Sequence, residues 1–549
     1  MTLSRRRVLQ GLGGTAVAGL AGCPSSERPP APELSWVGQS PERGHVIRDG
    51  ARRAGPVAET IKTRVAIVGG GVSGVAAAWR LRRAGVHDVR LLELEDALGG
   101  TARGGQTSRS RYPLGAHYLP SPHPRFDWLV TLLDELGFVH GHYEGRPEFD
   151  PSIVCRAPVE RYFHRGSWHE GIYPADGQTP DEEAQWERWN AHLLALDGKT
   201  GEDGLPLFTL PVRRSSQSLR HLDGISIATY LDRLGLDSWR LRWTVDYACR
   251  DDYGCSLEQT SAFAGLHHYL ARGLEDRHDR VTLRWPEGNE HLVRSIAALA
   301  NLEDRVHAPV AAVSIDPDRG RIIAYDEAAD RHLAFEADMV LWAAPRFVLS
   351  RVLPAGVDPL PRGALTYAPW LVANVQVSRA PGGLGAPLAW DNVPVGHPNL
   401  GYVVANHGDT LAEQLDPRAV LTYYEPFVAT KDEALDAART RMLKTKLPQW
   451  GSHVTASLEK MHPGIATTIE RIDVARWGHA MIRPTPGLLF GDALAQARAP
   501  IGRVLPCATD TGGLPLFEEA FAGGVLAAEE AMARIGVDQA TFIATDRLG

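Results

Sequence analysis

The run Gly69-Gly70-Gly71-Val72-Ser73-Gly74 is the part of this 549-residue chain whose residue types and spacing most directly imply chemistry. It comes after Arg64-Val65-Ala66-Ile67-Val68, which has the pattern of a buried strand, and leads into an alanine-rich helical stretch from Val75 to Ala84. In that setting Gly69 permits a tight turn, Gly71 lets the backbone approach a pyrophosphate, and Gly74 lets the helix pack closely on the strand. Val72 and Ser73 stand at the helix start, where unpaired N–H groups face anionic oxygens. A second strand is expected over Asp88 to Leu94, with Glu93 near its end, about 20 residues after the glycines, where a carboxylate accepts ribose hydroxyls and repels a 2′-phosphate. Strand, glycines, helix, strand and acid together define a dinucleotide site, and Glu93 by itself suits NAD as well as FAD.

The next segment of the chain narrows the choice. Leu98-Gly99-Gly100-Thr101-Ala102-Arg103 carries a second glycine pair and an arginine, and the chain there resembles flavin amine oxidases, protoporphyrinogen oxidases and carotenoid desaturases. The resemblance implies a tightly but noncovalently bound FAD, with Gly99, Gly100, Thr101 and Arg103 near the pyrophosphate and Gly115-Ala116-His117-Tyr118 running past the flavin. It also implies that Trp285-Pro286-Glu287-Gly288-Asn289 opens a later helix, that Val310 lies beside the adenine, and that Ala337 to Pro345, including Ala343, is a closing strand. Leu488-Leu489-Phe490-Gly491-Asp492 resembles the last cofactor strand, with Gly491 and Asp492 in the site. Phe517 to Val525, including Phe521 and Ala522, resembles the helix whose positive end faces the flavin ring. Two alternatives stay open: Gly523-Gly524 serves either the ring or close helix packing, and Asp492 is either a cofactor contact or a cap.

The elements that must position these residues form an α/β protein. A Rossmann-like FAD-binding domain of the glutathione-reductase type, over 56–120, 284–349 and 479–549, interleaves with an α+β substrate domain over 121–283 and 350–478. Ser226 to Leu234 and Asp432 to Leu447 read as helices and Trp370 to Val377 as a strand. Pocket candidates are Tyr118, Trp477 and His479, against which stand core packing for Trp477 and a scaffold role for His479. Tyr247 to Gly254 concentrates polar groups, either as Arg250 tied to Asp251 and Asp252 to fix a turn or as a substrate contact. His267-His268 does not suggest a metal, because adjacent helical side chains diverge, and no metal site is expected. Cys249 and Cys255 could approach each other, but the spacing does not require a disulfide. The amine oxidases carry a lysine on the strand comparable to Trp370–Val377; its absence here points away from fast reaction with oxygen and toward another acceptor, such as a quinone.

Composition bounds the rest: 44% hydrophobic and 23% charged residues suit an ordinary globular chain, and a net charge of -8 disfavours nucleic acid as a partner. Ser4-Arg5-Arg6-Arg7 and the weakly apolar run to Gly22 have the layout of a twin-arginine export signal, and Leu20-Ala21-Gly22-Cys23 resembles a lipoprotein acylation site. Residues 1–22 are therefore expected to be removed by the export pathway, Cys23 to anchor the protein on the outer side of a bacterial membrane, and 23–55 to form a tether. The expected activity is hydride transfer from an amine, or from an apolar unsaturated or alicyclic small molecule, to FAD, with oxygen or a quinone as acceptor. The alternative is a non-catalytic flavin-binding lipoprotein.

Overall fold

A computed structural model describes residues 31–50, 52, 55–107, 110–274, 281–407, 416–431 and 433–543. The expected export signal and acylation site at Cys23 fall in residues 1–30, which lie outside the described residues. Two sheets organise the rest. In the first, Val57–Val68 lies between Val89–Leu92 and Arg331–Trp342, all parallel; Val306–His307 extends one edge, Val504–Pro506 pairs with Arg331–Trp342, and Val310–Asp316 and Arg321–Asp326 complete the sheet antiparallel. The paired ends of its central strands, Val65–Val68 and Met339–Trp342, read as apolar runs because helices cover them, Val72–Arg83 and Phe517–Arg534 among them.

The second sheet has eight strands. Tyr367–Val377 sits between Ala419–Pro426 and Ile469–Ile482, with Asp391–Pro394 and Glu160–His164 farther along. Alternation along Tyr367–Val377 divides its faces: Leu371, Ala373 and Val375 pack with residues of the helices Leu435–Lys444 and Leu447–Met461, whereas Ala368, Trp370 and Val372 pack toward Leu114, Tyr424 and Trp477.

Three expectations change. The last strand of the first sheet is Val504–Pro506, in register with Val340–Trp342, and not Leu488–Asp492, which contains no strand; Gly491 instead precedes the short helix Asp492–Arg498, with Asp492 in its first turn. Both runs are short, apolar and flanked by glycine, so only the pairing partner distinguishes them. The boundary at 478/479 falls within Ile469–Ile482, so His479 to Ile482 belong to the eight-stranded sheet. The stretch read as tether is folded from Glu33 onward: Glu33–Trp36 pairs in parallel with Ile469–Ile482, and Pro41–Asp49 is a helix.

The glycine pair at 523–524 serves packing. An added Cβ at Gly524 would stand 2.0 Å from Ser73 O, and one at Gly523 would stand 2.8 Å from Cys507 O. Gly524→Ala is therefore expected to lower stability by about 1–3 kcal/mol, measured by denaturant unfolding, because the helix Val72–Arg83 must move to admit the methyl.

Candidate functional site

The glycine-rich residues converge as a cradle. Gly71 pairs with Gly99 as a parallel bridge, Gly99 N–H donates to Gly70 O at 2.9 Å, and an added Cβ on Gly100 would approach Gly71 Cα to 3.2 Å. Gly69, at φ +105°, turns beneath Ala343 and Ala344: an added Cβ would meet Ala344 N at 2.7 Å, and Ala343 N–H donates to Val68 O. Gly71 caps the helix Val72–Arg83 with no side-chain cap bond, which leaves the N–H groups at Val72 and Ser73 available to a ligand. Glu93 accepts from Gly70 N–H at 2.7 Å and Glu95 N–H at 2.8 Å, and Val310 N–H donates to Glu93 O, so the adenosine-end residues lie together. Burial raises the Glu93 carboxyl against these two backbone donors. An uncapped helix start beside a cradle of five glycines and a buried acid fits a dinucleotide diphosphate.

Thr101 O accepts from Ala116 N–H at 3.0 Å, and an added Cβ on Gly115 would stand 2.1 Å from it. This contact aims Gly115–Tyr118 toward the second sheet. There His117 stacks on Tyr424 at 4.8 Å and lies 5.4 Å from Trp390; Tyr118 meets Trp390 edge-on at 5.6 Å; and Tyr424 Oη donates to Gly115 O at 3.0 Å. The helix Trp239–Tyr253 supplies Tyr247 and Asp251, four residues apart on one face, and Tyr247 Oη donates to Asp391 Oδ2 at 3.2 Å. Burial followed by the charges of Asp252, Asp391 and Glu160 raises the Asp251 carboxyl well above its ordinary value. Burial, then Glu160, lifts Asp391 to about 7, and burial pushes His117 down to about 4. His117, Tyr118, Asp251 and Asp391 all keep some accessible surface, although burial dominates the titration of each. The site is thus an aromatic box with two carboxyls in one wall.

The polar stretch at 247–254 divides its work differently from the expected turn. Arg250 pairs with Asp246 at 2.9 Å, one helical turn back, and not with Asp251 or Asp252. Asp252 pairs with His268 at 2.6 Å, and His267 bonds Thr209 O. Cys249 and Cys255 are free thiols.

Of the other pocket candidates, Trp477 directs its indole N–H to Leu114 O at 2.6 Å within the packed inner face of the second sheet. His479 packs on Phe347 at 4.6 Å and Tyr367 at 5.9 Å, a cluster separate from the box, and burial pushes it down to about 4. Arg103 lies 3.7 Å from Glu95, and Phe521 stacks on Trp128 at 5.8 Å beside the buried Ala522. The start of Phe517–Arg534 is not simply positive: Glu518 pairs with Arg272 at 2.8 Å, and burial raises Glu519, which accepts from Val212 N–H, to about 8. Trp390, Asp391 and Tyr424 were not legible in the sequence, because they come from strands remote in the chain. The Tyr247/Asp251 spacing was visible there.

Because Asp391 binds its proton more tightly in the folded protein, it contributes stability below its unfolded value of about 4 that is lost as pH rises through about 7. The melting temperature of Asp391→Asn, relative to the parent protein, is therefore expected to become more favourable between about pH 5 and 8. A pH-independent difference would contradict the burial of this carboxyl.

A family model described as flavin containing amine oxidoreductase matches residues 72–532, and the chain belongs to that family. It is an FAD-dependent oxidoreductase with a Rossmann-like cofactor domain. Polyamine oxidase 1 of Zea mays is 38% identical over 65 residues, covering 12% of this chain and only 13% of that protein. Among solved structures, putrescine oxidase bound to putrescine aligns with TM-score 0.59 at 18% identity, covering 86% of this chain and all of that one. Cyclohexylamine oxidase from Brevibacterium oxydans IH-35A gives 0.59 at 15%, covering 86% and 99%, and a fatty acid isomerase from P. acnes 0.60 at 17%, covering 86% and 98%. At these identities the structures support the fold alone.

Proposed function

We propose that the enzyme oxidises a cationic amine held in the aromatic box, the observation that carries this being the Asp251 and Asp391 carboxyls in its wall. Negative charge beside the faces of Tyr118, Trp390 and Tyr424 attracts an ammonium by Coulomb and cation–π terms and gives no advantage to an apolar alkene. FAD, when bound, supplies the hydride acceptor for the substrate C–H bond. Gly71, Gly99, Gly100, the helix start at Val72–Ser73 and Arg103 would hold its diphosphate noncovalently, with Glu93 on the ribose and Val310 at the adenine. The chain's own groups then orient and deprotonate. Burial and the charges of Asp252, Asp391 and Glu160 raise Asp251 well above its ordinary value, while Asp391, lifted to about 7 by burial and Glu160, exchanges a proton near neutrality. Asp391 takes the ammonium proton, freeing the nitrogen lone pair that assists loss of hydride from the adjacent carbon.

The strand Tyr367–Val377 carries no lysine, and by the resemblance to the amine oxidases this supports slow reaction with oxygen and a quinone-type acceptor. Twin-arginine export and a lipid anchor at Cys23 rest on the sequence pattern and would hold the enzyme at the outer side of a bacterial membrane. A non-catalytic role draws no support from the family or the site. The test is anaerobic mixing of the yellow protein with mono- and diamines and with apolar alkenes. Bleaching by amines alone is expected; bleaching by alkenes alone would overturn the reading.

A further inference from the structure

We propose that the segment from Glu33 to Asp49 is part of the cofactor site: a strap that ties the two sheets together across the adenosine end and holds FAD in place, with Gln39 as its own polar contact. The inference rests on the assignment of Glu93 and Arg103 to the cofactor.

Each end of the segment is anchored on a different sheet. Glu33–Trp36 adds in parallel to Ile469–Ile482, Val37 N–H donates to Val474 O at 3.0 Å, Arg471 bonds Glu33 and Ser35, and the Arg476 guanidinium lies 3.7 Å over the Trp36 ring. At the other end Ser40 caps the helix Pro41–Asp49, proline stands at its first position, and Ile47 is buried against Ala66, Val68 and Val310 of the first sheet.

Between the anchors the strap touches Arg103 directly and reaches Glu93 through Glu95. Gly38, at φ +90°, turns the chain so that its carbonyl accepts from Arg103 Nη1 at 3.4 Å. Ser40 N–H donates to Glu95 Oε1 at 2.9 Å, and Arg43 meets Glu95 at 3.3 Å and Asp96 at 2.8 Å. Glu95 in turn donates its own N–H to Glu93 Oε1, whose second oxygen accepts from Gly70 N–H in the glycine turn. The relay runs from the strap to the ribose carboxylate in two steps. Gln39 lies between these contacts, and its Oε1 is buried with no protein partner among the described residues. A buried amide oxygen without a donor is costly unless a ligand supplies one, and a dinucleotide has hydroxyl and amino donors. Gln39 is therefore the strap's cofactor contact, and Ser40 and Arg43 are positioning residues acting through Glu95.

The test tracks FAD release from the purified holoprotein by recovery of free-flavin fluorescence, beside thermal melting of the apoprotein. Arg43→Gln and Gln39→Ala are expected to speed release by about tenfold or more, as the loss of one buried or charge-assisted hydrogen bond implies, while the apoprotein melting temperature of Gln39→Ala stays unchanged. Arg48→Gln, which removes an exposed pair with Asp49 on the same helix, should release FAD at the parent rate. Parent-rate release from both Gln39→Ala and Arg43→Gln overturns the strap, as does faster release fully matched by a fall in apoprotein stability. Glu93→Ala separates the two readings: if it keeps FAD at the parent rate, the ribose assignment fails and the strap with it. If it loses FAD while the strap variants do not, the strap alone fails.

Discussion

Asp391→Asn should lower kcat/KM for a cationic amine by at least about 30-fold at about pH 7.5, the lower end of the cost of truncating one partner of a desolvated charge pair. The amide is isosteric with the acid but can neither carry the charge nor take the ammonium proton. In the parent enzyme kcat/KM should rise with pH through the Asp391 titration at about 7, because only the ionised form attracts and deprotonates the substrate. The variant should lose that rising limb. Asp251→Asn is expected to do less, since an amide resembles the protonated acid that burial and neighbouring carboxylates already impose at 251. Equal and small effects from both substitutions, with an unaltered pH profile, would remove the carboxyl wall from the mechanism.

Gly71→Ala and Gly74→Ala should separate cofactor from fold. At Gly71 an added methyl has room within the protein, its nearest neighbour being Gly100 Cα at 3.7 Å, but it occupies the space reserved for the diphosphate. The purified variant should be folded, colourless, and at least about 100-fold weaker in FAD affinity, as expected when close backbone approach to a diphosphate is blocked. At Gly74 the methyl would stand 1.9 Å from Gly69 O, inside the glycine turn itself. That variant should lose apoprotein stability as well as flavin, by roughly 1–3 kcal/mol or more. Circular dichroism, absorbance and FAD titration read both outcomes. Full flavin occupancy in Gly71→Ala would refute the cradle.

Much of this architecture is written in local patterns. The glycine run, the strand before it and the helix after it are contiguous, so periodicity and turn chemistry reveal them together, and Glu93 comes at a spacing set by one strand–helix–strand unit. The strand Tyr367–Val377 was legible over Trp370–Val377 for the same reason, whereas the helix Phe517–Arg534 was expected over Phe517–Val525 from the family resemblance. Where two short apolar runs competed for one place in the sheet, as at Leu488–Asp492 and Val504–Pro506, local pattern had no means of choosing, because a strand is completed by hydrogen bonds to a partner far away in the chain. The same limit explains Gly523-Gly524: a glycine pair records that something approaches closely, and only the fold showed that Ser73 and Cys507 do.

By itself the spacing of glycines, acid and apolar residues determined a dinucleotide site on a strand–helix–strand unit, while the choice of FAD, the order of the later cofactor segments and the expectation of an interleaved second domain came from the resemblance to the flavin amine oxidases and their relatives. Tertiary structure alone decided that His117, Trp390 and Tyr424 face one another, that Arg250 belongs to Asp246 rather than to its neighbours, and that the stretch from Glu33 is a folded strap rather than a tether. It alone also raised the carboxyls of Asp251 and Asp391 above their ordinary range. A carboxyl's affinity for its proton depends on how much water and which charges surround it, and both are set by segments that meet only when the chain is folded.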